Sequence, residues 1–90
     1  MKTTKMRGTT PEDFLEFFIA WYNDNVADHD VLPITADECY VVWYCYIVGN
    51  AKTLISTNRQ DHMYYEITYH QEKDTVYVDQ YTKIKHDALA

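Results

Sequence analysis

Two cysteines and four histidines are the side chains of this sequence best suited to nucleophilic or metal chemistry. Cys39 and Cys45 stand in an apolar segment, where burial raises the pKa of a thiol and makes it inert. The histidines are dispersed. The densest group of potential metal ligands is Asp28-His29-Asp30, and adjacent residues of this kind seldom ligate one ion. We therefore expect packed, reduced thiols, no metal site and no bound cofactor.

A pair of carboxylates is the other candidate for acid–base chemistry. Glu66 and Asp79 are expected to face each other across two strands, an arrangement that can raise the pKa of a shared carboxyl. A bridge by Lys83 or by solvent is the simpler alternative. The sequence has only two glycines and no glycine-rich phosphate-binding loop. We therefore predict no catalytic residues and do not expect an enzyme.

Tyrosine is the most over-represented residue type, at nine of the 90 residues. Its ring buries apolar area while its hydroxyl stays hydrogen-bonded, so tyrosine is enriched in binding surfaces. The segment 38–48, ECYVVWYCYIV, is apolar or aromatic on both of its alternating faces. An antiparallel strand of a small domain needs only one buried face, so the second face indicates a binding surface.

The elements that position these side chains begin with a helix at about residues 10–27. Thr10 is the expected N-cap, and Pro11 suits the first helical position because its missing N–H is not needed there. Residues 1–9 show no periodicity and are expected to be flexible. The apolar face of the helix is one stripe with three flanking aromatic residues: Leu15, Phe18, Tyr22 and Val26, flanked by Phe14, Phe17 and Trp21.

Four strands are expected after a connection, at about 38–48, 51–57, 63–70 and 75–84. Gly49-Asn50 is the expected first turn and residues 71–74 the last one. The sequence thus predicts one α+β domain over residues 1–90, with an N-terminal helix packed on a four-stranded antiparallel β-meander (α-β-β-β-β). The predicted core face of the last two strands comprises Met63, Tyr65, Ile67, Tyr69, Val76, Val78 and Ile84.

Two orientations of the first strand stay open, because both of its faces are apolar. Either Trp43 and the two cysteines, or three tyrosines, lie on the face away from the helix, called here the outer face. The tyrosines are preferred, since they continue the tyrosines of the later strands. The predicted protein-interaction surface is therefore a set of six tyrosines: Tyr40, Tyr44, Tyr46, Tyr64, Tyr77 and Tyr81.

The formal net charge of −6 is unevenly distributed. Residues 12–38 contain eight acidic side chains and no lysine or arginine. Such a field disfavours nucleic acid and anionic membranes and favours a basic protein partner. A solvated helix face that keeps the protein soluble is the alternative. The predicted acidic interaction surface comprises Glu12, Asp13, Glu16, Asp24, Asp28 and Asp30.

The start of the sequence has no apolar run after its positive charges, which argues against a signal peptide. No stretch reaches the roughly 18 apolar residues that a membrane span requires. The two cysteines are roughly 20 Å apart on one predicted strand, too far for a disulfide. We therefore expect a cytoplasmic protein without membrane contacts.

Residues 36–84 also carry a characteristic series of short aromatic and polar motifs. The pattern consists of Val41-Val42-Trp43, Asn50-x-Lys52, Leu54-x-Ser56-Thr57, Met63-Tyr64-Tyr65-Glu66-x-Thr68-Tyr69 and Tyr77-x-Asp79-x-Tyr81. It resembles a family of small uncharacterised proteins from phages and prophages of Gram-positive bacteria. The resemblance implies no assigned activity and no functional residues. It implies a setting of accessory phage genes, in which small acidic proteins, including several anti-CRISPR proteins, inhibit host defence.

The sequence thus predicts a non-enzymatic acidic protein-interaction module in the cytoplasm of a bacterial host. This module, encoded by a phage or prophage, is the leading hypothesis, and its more specific form is an inhibitor of a host defence protein, either anti-CRISPR-like or a nucleic-acid mimic. The alternatives are a homodimeric accessory phage protein and a single-stranded nucleic-acid binder that uses the tyrosine face. The lack of a basic track weighs against nucleic acid, so the expected partner is a basic host protein or a second copy.

Overall fold

A helix on one face of a four-stranded sheet is the architecture of the chain, whose computed structural model describes residues 6–59 and 63–82. The elements are helix α1 (Pro11–Asn25), a 3₁₀ turn (Ala36–Glu38), and strands β1 (Cys39–Ile47), β2 (Asn50–Thr57), β3 (Met63–His70) and β4 (Thr75–Thr82). The sheet is antiparallel throughout, in the order β1-β2-β3-β4, so the predicted α+β meander is confirmed. Residues 1–5 of the expected flexible segment and the predicted positions of Lys83 and Ile84 lie outside the described residues.

Helix α1 begins with the capping signal that the sequence contains. Asp13 N–H donates to Thr10 Oγ1 (3.1 Å), and Thr10 N–H donates back to Asp13 Oδ2 (3.1 Å), while Pro11 occupies the first helical position. This reciprocal pair satisfies two backbone donors that no helical carbonyl reaches. The helix therefore starts where the sequence predicts it.

The buried side of α1 follows a four-residue spacing, Phe14, Phe18 and Tyr22, with Phe17 beside it. Leu15 and Val26, predicted at the centre of the stripe, are only half-buried. The helix is thus rotated about its axis from the predicted orientation. This rotation buries the rings of Phe14, Phe18 and Tyr22, and an aromatic side chain buries more area than leucine or valine does. The predicted apolar face is thus correct in composition and displaced towards Phe14.

Tyr65 of β3 is the centre of the helix–sheet contact. Its ring centroid lies 4.9 Å from Phe18, 6.0 Å from Trp21 and 6.1 Å from Tyr22. Ile55 and Ile67, both fully buried, pack beneath these rings. The shortest dimension of the molecule is 20 Å, which is the thickness of one helix layer on one sheet.

The connection between α1 and β1 is held by the side chain of Asn23, a polar residue of the helix. Asn23 Oδ1 accepts from the Ile34 N–H (2.7 Å), and Asn23 Nδ2 donates to the Ile34 carbonyl (3.1 Å). These two hydrogen bonds resemble those between paired residues of neighbouring strands. They hold the Ile34 side chain in the core, where it is 2% exposed. The connection is therefore part of the packed domain.

Arg59, directly after β2, makes the most extensive set of side-chain contacts. Nη1 and Nη2 donate to the carbonyl oxygens of Leu32 (2.7 Å) and Pro33 (2.8 Å). Nε donates to Glu38 Oε2 (3.2 Å), and the guanidinium carbon lies 5.5 Å from the centroid of the Tyr22 ring. The Arg59 hydrogen bond holds the pKa of the Glu38 carboxyl below its usual value. One side chain thus ties together the helix, the connection, the 3₁₀ turn and the β2–β3 loop.

A β-bulge in β1 determines which side chains reach each face of the sheet. Val41 pairs with Ile55 and Trp43 pairs with Leu54, so Val42 is an extra residue without its own partner. Inward and outward positions therefore exchange parity at Val42. Side chains that face the helix are Cys39, Val41, Tyr44 and Tyr46, and those on the outer face are Tyr40, Trp43, Cys45 and Ile47.

The strict alternation predicted for β1 is accordingly wrong. Tyr44 and Tyr46, expected on the outer face, lie on the helix side, because the extra residue shifts the pleat by one position. The β1–β2 turn is also one residue earlier than expected, at Val48-Gly49, since Gly49 adopts the positive φ of 82° that the turn requires. By contrast, the pairing of His70 with Thr75 across the last turn is as predicted.

Deleting Val42 should leave the fold intact, because both halves of β1 then keep their faces in a regular strand. The free energy of unfolding in urea should change by no more than about 1 kcal/mol. A matched deletion of Leu54 in β2, which lacks a bulge, should turn the fully buried Ile55 outward and cost more than about 4 kcal/mol. Equal losses for the two deletions would contradict the bulge assignment.

Arg59→Lys should lower the free energy of unfolding by about 1–2 kcal/mol, because an ammonium cannot serve three acceptors in fixed directions. Arg7→Lys is the matched control. Its Nε–carboxylate distance to Glu16 is also 3.2 Å, but the Arg7 side chain is 82% exposed against 19% for Arg59. The control should change stability by less than about 0.3 kcal/mol. Similar effects from both substitutions would show that Arg59 is an ordinary surface arginine.

The Glu38 carboxyl should make the stability of the domain sensitive to acid. Its pKa is lower in the folded chain than its usual value of 4.5, so its contribution is present above pH 4.5. The contribution is lost as the pH falls through the lowered pKa. Urea titrations between pH 6 and 3 should therefore show a shallower loss of stability in Glu38→Gln than in the native chain. An unaltered slope in that variant, matching the slope of Glu72→Gln, would exclude this role.

Candidate functional site

The outer face of the sheet is covered by no described element, since α1 and its connection lie on the other side. Trp43 is 39% exposed there and Tyr40 50%, and Ile47, Tyr77 and Tyr81 are also exposed. Monomeric proteins seldom expose a contiguous group of large apolar side chains, and such groups commonly mark interaction sites. The outer face is therefore the candidate functional site.

Cross-strand pairing arranges the outer face into rows about 7 Å apart, each crossing all four strands. The tyrosine row consists of Tyr40, Ser56, Tyr64 and Tyr81. The carboxylate row consists of Trp43, Leu54, Glu66 and Asp79. The lysine row consists of Cys45, Lys52, Thr68 and Tyr77. Aromatic side chains therefore surround a small charged group near the middle of the sheet.

The charged group contains the two carboxylates that the sequence predicts as neighbours, and Glu66 is indeed paired with Asp79. Lys52 Nζ lies 3.8 Å from Glu66 Oε1, beyond hydrogen-bond distance, and the Tyr81 hydroxyl donates to the same oxygen at 3.4 Å. The negative charge of Glu66 raises the pKa of Tyr81, so that its hydroxyl stays protonated. Asp79 has no hydrogen-bond or ion-pair partner in ranges 6–59 and 63–82.

A shallow depression of about 480 Å³ lies over the tyrosine and carboxylate rows. It is lined by Trp43, Leu54, Tyr64, Glu66, Tyr81 and Thr82. A second depression of about 310 Å³ begins on the other side of Trp43 and reaches Ile47 and Lys52. Trp43 is thus the wall shared by both depressions.

Four of the six predicted interface tyrosines, namely Tyr40, Tyr64, Tyr77 and Tyr81, lie on the outer face. The other two lie on the helix side. The Tyr44 ring meets Phe14 edge to face at 5.9 Å, and its hydroxyl donates to the carbonyl of Thr9. Tyr46, paired with Ala51, is 50% exposed. The place expected for these two tyrosines is taken by Trp43, which the preferred orientation of β1 assigned to the core.

Three of the six residues of the predicted acidic surface have partners within the chain. Asp13 caps α1, and Glu16 pairs with Arg7 at 3.2 Å. Asp28 Oδ1 accepts from the N–H groups of Asp30 (2.8 Å) and Val31 (2.9 Å). Asp13 thus serves a helix cap, Asp28 a turn and Glu16 an exposed ion pair.

The remaining carboxylates of that set lie on the solvent side or in the connection. Glu12 and Asp24 are both exposed on α1 and stand about 18 Å apart along its axis. Asp24 is close to the C-terminal end of the helix, where a negative charge is electrostatically unfavourable. Asp30 is exposed in the connection.

The two cysteines differ from one another in their surroundings. Cys39 Sγ donates to the Thr35 carbonyl (3.4 Å), and burial raises the pKa of its thiol to about 11, as expected for an inert thiol. Cys45 is exposed on the outer face, contrary to the expectation that it is packed. Residues 6–59 and 63–82 contain no group of three His, Cys, Asp or Glu side chains placed to hold a metal ion. Within the same ranges, no helix has the length and hydrophobicity needed to cross a membrane.

Comparison with known proteins places the chain in a family without giving it an activity. No curated protein and no solved structure matches the chain significantly. One family model, described as a family of unknown function, matches residues 12–90, which span α1, the connection and the whole sheet. The chain therefore belongs to this family of unknown function, DUF6275.

Proposed function

We propose that this chain is a non-enzymatic protein-interaction module that binds its partner through the outer face of the sheet. The observation that carries the proposal is a sheet whose outer face no element of the described chain covers and which bears Tyr40, Trp43, Tyr77 and Tyr81. Tyrosine and tryptophan dominate the energetics of interfaces, because they bury large areas with few rotatable bonds. Leaving this face in water forfeits that stabilisation.

The size of the outer face suits such a role. Four strands about 4.8 Å apart and eight residues long at about 3.3 Å per residue give a face of roughly 19 by 26 Å. Its side-chain relief brings the accessible area towards the roughly 800 Å² that each partner buries in a standard interface. A partner that covers the four strands therefore needs few contacts beyond the sheet.

The narrower proposal is an inhibitor of a basic protein, encoded by a phage and acting in the cytoplasm of a bacterial host. The net charge of −6 and the solvent-facing carboxylates Glu12 and Asp24 support a basic partner. The unfavourable position of Asp24 on the helix also supports a role other than stability. The resemblance to small phage proteins supports the genomic setting. Mimicry of nucleic acid has weaker support, because Asp13, Glu16 and Asp28 have partners within the chain.

A homodimer that pairs two outer faces is the second candidate, and the exposed aromatic side chains favour it. Its disadvantage is electrostatic, since two copies bring four carboxylates, Glu66 and Asp79 from each, into one interface. Single-stranded nucleic acid has less support still. The aromatic rings would stack on bases, but Lys52 is the only cation in the three outer-face rows.

Two tyrosines of β1 offer a matched test of the proposal. Tyr40 and Tyr46 are each 50% exposed, but they lie on opposite faces of the same strand. Tyr40→Glu should abolish partner binding, whereas Tyr46→Glu should preserve it, because only Tyr40 belongs to the outer face. Quantitative capture of partners from a lysate of the source organism measures binding, and sedimentation velocity of the purified variants measures self-association.

Three results decide between the readings. Proteins retained by the native chain and Tyr46→Glu, but lost with Tyr40→Glu, support the interaction module. A native mass of twice 10.7 kDa that reverts to monomer only in Tyr40→Glu supports the homodimer. Equal retention by both variants excludes the outer face. The double variant Glu12→Lys/Asp24→Lys, included in the same capture, should lose binding only if the helix carboxylates contact the partner.

A further inference from the structure

The depression over the tyrosine and carboxylate rows combines two features that are rarely exposed together. Its lining includes the aromatic residues Trp43, Tyr64 and Tyr81 together with Glu66. The Glu66 side chain is 22% exposed, so its charge is partly withdrawn from water. Aromatic faces and partly desolvated carboxylates both attract cations.

The charge of the depression is incompletely neutralised by the described residues. Glu66 and Asp79 contribute two negative charges side by side, and Lys52 is the single cation near them within ranges 6–59 and 63–82. The distance of 3.8 Å from Lys52 Nζ to Glu66 Oε1 leaves that pair without a hydrogen bond, and Lys52 is 46% exposed. Asp79 has no cationic partner among the described residues. Among the described residues, a net negative charge therefore remains at Glu66 and its cross-strand neighbour Asp79, beside the aromatic lining.

We propose that this depression binds the arginine side chain of a basic segment of the protein partner. The guanidinium would stack on the rings of Trp43 and the neighbouring tyrosines and donate to Glu66 and Asp79. This inference rests on the proposed function, which supplies the outer face as the interface, and it adds the chemistry of the partner residue.

The geometry favours arginine over other occupants. A guanidinium has two apolar faces and a fork of N–H donors, so it stacks on aromatic rings and binds carboxylates at the same time. Lysine offers a point charge that Lys52 already supplies from within the chain. The depression is open and shallow, with a volume of about 480 Å³, which suits a side chain presented by a macromolecule.

Titration of the full-length, ¹⁵N-labelled chain with a short peptide tests this assignment. The probe is acetyl-Gly-Gly-Arg-Gly-Gly-amide, and the matched probe replaces arginine by citrulline, a neutral side chain of the same shape. The arginine peptide should shift the Trp43 indole N–H and the backbone amides of Glu66 and Asp79 in a saturable way. The citrulline peptide should shift them by less than one-fifth as much. The indole signal is assigned by its loss in Trp43→Phe.

Two variants with equal charge change separate a site from a general field. Asp79→Asn and Glu72→Gln each remove one negative charge, but Glu72 lies in the exposed turn between β3 and β4. Affinity should fall at least threefold in Asp79→Asn and stay within 1.5-fold of the native value in Glu72→Gln. Unchanged amide signals on the helix side show that each variant keeps its fold.

Equal shifts from both peptides, equal losses in both variants, or shifts confined to the backbone amides of α1 would each overturn the arginine site. The proposed function stands or falls separately. If Tyr40→Glu loses the partner and the arginine peptide fails to bind, only the arginine site is wrong. If the peptide binds and Tyr40→Glu keeps every partner, the depression recognises arginine but the outer face is not the protein interface.

Discussion

The guanidinium of Arg59 is the interaction on which the arrangement of helix and sheet most depends. It donates to two carbonyl groups, those of Leu32 and Pro33, which lie outside the helix and the strands. Through Glu38 it also fixes the residue that precedes β1, and the Asn58 N–H donates to the Glu38 carbonyl (3.0 Å) at the same point. A domain of 90 residues has a small core, so one polar cluster of this kind contributes a large share of its stability.

Because this end of the sheet is fixed, the bulge in β1 determines which faces the later residues of the strand occupy. Cys39 starts β1 opposite Thr57, and the strand keeps a regular pairing until Val42. Beyond that residue the strand presents Tyr44 to the helix and Trp43 to the outer face. A regular strand cannot place Tyr40 and Trp43 together on the outer face, because residues three positions apart point to opposite faces. The bulge lets one strand serve the core and the candidate interface.

The sequence is most predictive where its pattern is asymmetric. Thr10-Pro11 identifies the helix start, and the alternation of β3 with a four-residue turn correctly pairs Glu66 with Asp79. Strand β1 has no such asymmetry, because both of its faces are apolar. A one-residue shift therefore leaves no signature in its sequence, and the face on which Tyr44 lies could not be predicted.

Polar residues with structural roles were also hidden from sequence reasoning. Arg59 reads as part of a polar loop, Asn23 as part of a solvated helix face, and Asp28 as a member of an acidic surface. Arg59 and Asn23 instead form hydrogen bonds with backbone groups distant in sequence, those of Leu32 and Ile34. Asp28 accepts from the backbone N–H of Val31, three residues later. Hydrogen bonds between a side chain and a distant backbone group depend on the tertiary arrangement, so the spacing of residues along the chain does not predict them.

The bulge at Val42 has a further consequence, because β1 is an edge of an open sheet. Nine residues that are apolar or aromatic, without proline or charge, have the composition of segments that assemble into fibrils. A free edge of that composition invites another chain to extend the sheet. The extra residue interrupts the row of unpaired N–H and C=O groups and increases the local twist, so an incoming strand cannot add along the full length of β1. The irregularity that sorts the side chains thus also protects the protein from aggregation.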